Sequence, residues 1–276
     1  MKTLERDWQQ ITQVGIKEIN FDINPKLLGI RDAFNDDVNK ILSEQGKVKR
    51  AGTNRGVDGY EDFIQTTNGN IIINPKIEVK NGIVNILEAQ IGKYETYHAF
   101  NNLRSGNKNG IKSLNLQSYK YEVLSAGGIF YDPEKESFYL YKRPDNSQEA
   151  AGQIDIIGGC MNTKDGITEE GKIDPAFYTA SRLSSKGGID ITPDTLQFMG
   201  VQKFQKRGFQ NLVYLAVLEP GISEQLNFKN VSEIPLSQVE QYMSQDNPGG
   251  AGLSIILSHP MFCDNGYGPE IMKDRI

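Results

Sequence analysis

The sequence predicts an α/β (α+β) fold, a mixed sheet sandwiched between helices, and three observations predict it. From Lys120 onward, five short aromatic or β-branched runs are each bounded by turn residues: "YEVLSAGGIFYD", "SFYLYKRPD", "GQIDIIGG", "LQFMGVQKF" and "NLVYLAVLE". Between the third and fourth lies one strongly helical segment, "DPAFYTASRLSSKGGID", which stops at a double glycine. Ahead of them, "NIIINPKIEV" and "IVNILEAQI" flank Lys80, Asn81 and Gly82. Asn-Gly tolerates positive φ at both central positions, so this pair reads as a hairpin. Strands interleaved with helices in this way give a layered plan.

Taken in order, the chain starts with a polar helix near Leu4 to Val14 and a short strand, "INFDI". A helix follows from about Pro25 to Gln45, in which Leu27, Leu28, Ile30, Phe34, Val38, Ile41 and Leu42 recur at three- and four-residue spacing. The glycine-rich stretch from Lys47, with Lys49, Arg50 and Arg55, reads as a solvated loop. The hairpin comes next, and then "GKYETYHAFNNL" as a short helix or loop. Residues 1–118 therefore form a smaller mixed α/β module, and residues 119–276 the main domain. The closing "GGAGLSIILSH" predicts a terminal helix that begins after its glycines.

Composition narrows the partners. A net charge of -5 argues against a nucleic-acid binder that works through a bulk positive field. The longest apolar run, "LVYLAVL", is far below the ~20 residues a membrane helix needs. The amino terminus is charged and has no apolar signal region, and Cys160 and Cys263 have no paired spacing. These features predict a cytoplasmic protein with no membrane partner and no cysteine-based metal centre.

The helical segment is unusual in its charge. Between Asp174 and Asp190 it holds no carboxylate, although the chain carries 35 acidic residues. The strand order "GGIFYD", "FYLYKRPD", a strand ending at Gly158-Gly159, a helix ending at Gly188-Ile189, then "MGVQKF" and "NLVYLAVL" resembles the Nudix hydrolase superfamily. That resemblance implies an α/β/α sandwich and the signature G-x5-E-x7-R-E-U-x-E-E-x-G-U, in which U is a bulky aliphatic residue. There, helical glutamates gather Mg2+ ions that neutralise a pyrophosphate while water attacks phosphorus. The hairpin leading into "YHAFNN", the phrase "EAAGQIDIIGG" and the closing "PGGAGLSIIL" look like the UDP-sugar pyrophosphatase branch, which has an amino-terminal extension. This resemblance implies a UDP-glucose or UDP-galactose ligand.

Anchoring the signature on Gly188 and Ile189 places Ser181 at the arginine, Arg182 at a glutamate, Leu183 at the aliphatic position, and Ser185 and Lys186 at the two metal-binding glutamates. A shift of one residue restores none of the acids. Asp165, six residues past Gly159, stands where the signature has its first glutamate, in a loop about eight residues longer than the family's. Residues four apart on a helix share a face, so Arg182 and Lys186 should project together. Their charge would repel Mg2+ and suit a phosphate directly, or the two would face solvent or pair with Glu169, Glu170 or Asp174.

The expected ligand-binding residues are Arg182, Lys186, Lys142, Arg143, Asp155, Gly158 and Gly159, although the two glycines by themselves suit a tight turn. If hydrolysis survives, its carboxylates have to be Asp165, Glu169, Glu170 or Asp174 converging with Asp155, and Mg2+ is needed only in that case. Three readings follow. The first is a catalytically silent or impaired binder of a nucleoside diphosphate-linked ligand without a bound metal. The others are an active Mg-dependent diphosphatase with relocated carboxylates, and a scaffold that engages a protein partner.

Overall fold

A computed structural model of the chain describes residues 8–10, 18–20, 70–80, 83–94, 97, 122–145, 152–163, 165–166, 173–204, 208–243 and 248–258. The expected helix at Pro25 to Gln45 and the basic loop from Lys47 lie outside these residues, as do Glu169 and Glu170. Eleven strands make one mixed sheet: β1 (Trp8–Gln10), β2 (Glu18–Asn20), β3 (Asn70–Lys80), β4 (Ile83–Lys93), β5 (Val123–Asp132), β6 (Ser137–Lys142), β7 (Ile154–Asp155), β8 (Ile157–Cys160), β9 (Leu196–Phe204), β10 (Phe209–Val217) and β11 (Val231–Pro235). Among the described residues, helices α1 (Pro175–Gly187), α2 (Val239–Met243) and α3 (Pro248–Ser258) accompany them. Among the described residues no helix is long and apolar enough to cross a membrane.

The main path of the sheet runs β1-β9-β10-β5-β3-β4-β2, with β10 parallel to β5 and β2 parallel to β4. The hairpin expected around Lys80 to Gly82 is β3–β4, with Lys80 paired to Ile83 across a two-residue gap. Pro75 lacks the N–H a ladder requires, and the register of β3 shifts between Ile73 and Lys76. Asn74 takes φ +48° at this irregularity, and its side chain turns it into a joint. Asn74 Nδ2 donates to Gln90 Oε1 at 2.8 Å, and the Glu122 N–H donates to Asn74 Oδ1 at 3.0 Å. The amino-terminal hairpin is thereby stitched to the start of β5.

Three readings of the sequence need correction. Trp8–Gln10 is a strand paired antiparallel with Lys203 and its neighbours on β9, where a polar helix was expected. An aromatic residue beside an open sheet edge gains more from a ladder than from an isolated turn of helix. Helix α3 begins at Pro248 and contains the glycines expected to precede it. Proline suits the first helical position, and glycine lets the helix lie close on the sheet: a Cβ at Gly252 would stand 2.4 Å from Ile156 Cγ2. Gly158 and Gly159 sit inside strand β8, not in a tight turn.

The core lies on both faces of β5, whose side chains alternate. Ile129 and Tyr131 join Phe138, Leu140, Ile156, Leu253, Ile255 and Leu257 under α3. Phe130 joins Tyr139, Ile157, Leu183 and Ile189 under α1. Leu183 is fully buried, and Gly128 makes room for it, since a Cβ there would stand 2.9 Å from Leu183 Cδ1. The result is a helix, sheet, helix sandwich.

Along one edge β5 pairs in turn with β3 at Val123, with β8 over Ser125 to Gly128, and with β6 over Phe130 to Asp132. β5 and β6 therefore splay apart, and the segment β7–β8 fills the wedge between them, with Asp155 opposite Tyr141 and Gly158 opposite Gly127. A Cβ at Gly158 would stand 2.2 Å from Ala126 O and 2.4 Å from Gly127 Cα, both of them backbone atoms. Gly158→Ala is expected to cost about 3 kcal/mol or more, the upper end of overpacking penalties, measured by urea unfolding.

Candidate functional site

Helix α1 has a complete local grammar. Asp174, at extended φ, accepts the Phe177 N–H at 2.8 Å, and Pro175 follows at the first turn. Gly188 closes the helix at φ +77°, donating its N–H to Ser184 O at 2.9 Å. Asp174 is thus the amino-terminal cap of the helix, a role the sequence reading did not assign to it. Aspartate followed by proline ahead of a helical run is a cap signal that was present in the sequence.

The underside of α1 meets a strip of polar groups where β6, β7 and β8 converge. Tyr139 and Tyr141 alternate onto one face, and Asp155 lies directly across from Tyr141, so it shares that face. Arg143 reaches back to this strip: its Nε donates to Asp155 Oδ2 at 2.9 Å, and Asp155 Oδ1 accepts the Ile156 N–H at 2.8 Å. Asp155 is consequently engaged on both oxygens. Lys142 pairs with Ile154, which packs under α3, so it belongs to the opposite face and is exposed there.

Above the strip, Arg182 and Lys186 each settle on an aromatic ring. The Arg182 guanidinium lies 5.0 Å from the centroid of Tyr178, and Lys186 Nζ lies 5.0 Å from the centroid of Tyr141. Arg182 also pairs with Asp165 at 3.3 Å, and Lys186 Nζ stands 3.5 Å from the Tyr141 hydroxyl, at the outer limit of a hydrogen bond. The partner of Arg182 is therefore Asp165, which was not among the partners the sequence suggested. Asp165 is held in turn by Asn162, whose Nδ2 donates to Oδ2 at 3.1 Å.

Tyr178 and Tyr141 were missed as site residues. Tyr178 is legible in retrospect, four residues before Arg182 on the same helical face, and Tyr141 two residues before Arg143 on the same strand face. Tyr178 is buried and donates its hydroxyl to Cys160 O at 2.8 Å. Burial pushes its phenol up to about 12, with the Arg182 charge pulling the other way. Gly159 lies beneath it: a Cβ there would sit 3.6 Å from the Tyr178 hydroxyl, and its φ of +152° disfavours any side chain. Gly158 and Gly159 are both exposed and present bare backbone to the space beside the helix.

Among the described residues, helix α1 offers no carboxylate to a divalent cation along the stretch from Pro175 to Gly187. At the positions where the resembled signature has glutamates the helix offers Arg182, Ser185 and Lys186, and Asp165 is paired with Arg182. Among the described residues no three of His, Cys, Asp or Glu converge as metal ligands. The helix instead offers two cations, each resting on a tyrosine ring, and the Tyr178 ring stands over the exposed backbone of Gly159. Such a surface can take an anionic group.

No protein-family profile matches the chain, and no curated protein matches it. Solved structures of similar fold include a MutT protein from Methanosarcina mazei Go1, at 14% identity over 54% of this chain and 97% of that one, with a TM-score of 0.37. Another is the NUDIX domain of Shewanella oneidensis NrtR solved with ADP ribose, at 16% identity over 51% of this chain and 87% of that one, with a TM-score of 0.35.

The raised phenol of Tyr178 has a pH consequence. Its value in the unfolded chain is 10.0 and in the folded chain about 12, so the stability it contributes is complete below pH 10 and is lost as the pH rises toward 12. Tyr178→Phe removes one hydrogen bond and should cost about 1 kcal/mol at pH 7. The deficit against wild type should shrink between pH 10 and 12 in chemical unfolding followed as a function of pH.

Proposed function

We propose that this chain is a Nudix-type protein that binds a nucleoside diphosphate-linked ligand, a UDP-sugar first among them, and does not hydrolyse it. The observation that carries this reading is the charge of α1: the helix keeps its cap, its buried Leu183 and its Gly188 stop, yet presents Arg182, Ser185 and Lys186 where the signature of the resembled family places glutamates, the last two of them metal-binding. Hydrolysis in that family rests on metals held by carboxylates on a rigid helix. A helix carrying arginine and lysine there supports binding of the phosphates themselves.

The named residues take different parts in this reading. Arg182 and Lys186 supply charge to the diphosphate, and the exposed backbone of Gly158 and Gly159 lets the ligand approach the sheet. Arg143 and Asp155 hold one another and so shape the rim of the cleft. The UDP moiety and the sugar are assigned from the sequence resemblance of "EAAGQIDIIGG" and "PGGAGLSIIL".

The test is a thermal-shift panel of UDP-glucose, UDP-galactose and ADP-ribose, with Mg2+ or with EDTA, alongside an assay of UMP release. A ligand present at about 100 times its Kd stabilises the fold by about 2.7 kcal/mol, which a melting curve resolves. Stabilisation by a UDP-sugar in EDTA without UMP release is the expected result. Release of UMP at about 1 per second or faster with Mg2+ would overturn the proposal.

A further inference from the structure

The pairing of Arg182 with Asp165 is loose for an interaction between full charges. Charge-assisted N–H···O contacts run about 2.7–2.9 Å, whereas this one is 3.3 Å, with the side chains 28% and 32% exposed. Such partly hydrated pairs hold weakly and are screened by salt.

Each partner is also anchored by something other than this contact. The Arg182 guanidinium rests on the ring of buried Tyr178, whose hydroxyl is fixed to Cys160 O. The turn that carries Asp165 is closed by main-chain donors: the Asp165 N–H to Asn162 Oδ1 at 2.7 Å, and the Gly166 N–H to Asn162 O at 3.0 Å. The Asp174 N–H then bonds Gly166 O at 3.0 Å, which ties the turn to the start of α1. The carboxylate of Asp165 can therefore swing away, giving up the Asn162 Nδ2 contact as well, while the guanidinium stays seated and the turn stays closed.

One helical turn further on, about 6 Å along the axis, Lys186 stands over Tyr141 and makes no ion pair among the described residues. Two cations in tandem, one of them covered by a single movable carboxylate, match a ligand with two linked anionic groups better than a lone phosphate.

We infer that Asp165 is the resident occupant of a diphosphate seat formed by Arg182 and Lys186, and that a diphosphate enters by displacing the Asp165 carboxylate, without a metal ion. The inference rests on the proposed binding of a diphosphate-linked ligand and adds to it an internal competitor. Asp165 sets the affinity from inside the protein: its carboxylate offsets the charge of Arg182 in the empty seat and opposes weakly bound anions.

The experiment is isothermal titration of the full chain in EDTA with inorganic pyrophosphate and, separately, with UDP-glucose, comparing wild type with Asp165→Asn, Asp165→Ser and Arg182→Gln. The asparagine keeps the shape of Asp165 and its side-chain contact with Asn162, and the serine variant covers the case in which the amide perturbs the turn. Removing the competitor should tighten pyrophosphate by up to about fivefold, since a partly exposed ion pair is worth up to about 1 kcal/mol. Arg182→Gln should abolish the binding. Tighter pyrophosphate binding with no UDP-glucose binding would keep the seat and discard the nucleotide ligand. UDP-glucose binding that is equal in wild type and both Asp165 variants would overturn the competitor and leave the proposed ligand standing. Binding of neither ligand by any variant would overturn both.

Discussion

A side chain at residue 158 would place its Cβ 2.2 Å from the carbonyl oxygen of Ala126, so β8 can lie against β5 at that register only because the residue is glycine. This contact between backbones sets the geometry of the rest of the cleft. It lets β7–β8 enter the wedge between β5 and β6, and it brings Asp155 opposite Tyr141. It also puts Gly159 beneath the Tyr178 hydroxyl, where α1 can cross with Leu183 seated over Gly128. The polar strip and the cationic helix face one another because the strand between them has almost no side-chain thickness.

Once that geometry is fixed, the sign of the charge on α1 decides what the cleft can hold. Two unit charges 4 Å apart interact by about 1 kcal/mol in water and about 4 kcal/mol near a protein surface. Replacing carboxylates with Arg182 and Lys186 therefore turns attraction for a divalent cation into repulsion of the same order. The rings beneath the cations hold them without satisfying them. A cation–π contact at an exposed site is worth about 0.5–1 kcal/mol, and a hydrogen bond to a charged group about 1.5–3 kcal/mol. A phosphate competes successfully with a tyrosine face. The position of Lys186 in the last turn also complements the helix dipole, so the reversed charge costs the fold nothing there.

Much of this was legible in the residues. Runs such as "NLVYLAVLE" declare their strands through β-branched and aromatic content, and the double glycine after Lys186 declares the end of α1, because each signal acts over a few neighbouring residues. The acid-free helix was legible for the same reason. What the sequence hid depends on distant partners. Nothing near Trp8 reveals that β9 has an open edge beside it, and Asp165 and Arg182 are separated by 17 positions whose path the local pattern does not specify. Asp174 stands beside other acids in the chain, which drew attention away from its cap role; Pro175 after it and the bond from the Phe177 N–H show that role. The two glycines resembled a turn because glycine permits turns; the close strand pairing that requires them is visible only in three dimensions.

The central claim is that the guanidinium of Arg182 meets the ligand's phosphates with no metal between them. The side-chain Nε–Hε resonance of Arg182, assigned by its loss in an Arg182→Lys variant and followed during titration with UDP-glucose in EDTA, reports this contact directly. The account predicts a saturable downfield shift of that resonance in EDTA, unchanged in size when Mg2+ is added. A resonance that stays still in EDTA and moves only after Mg2+ is supplied would contradict it.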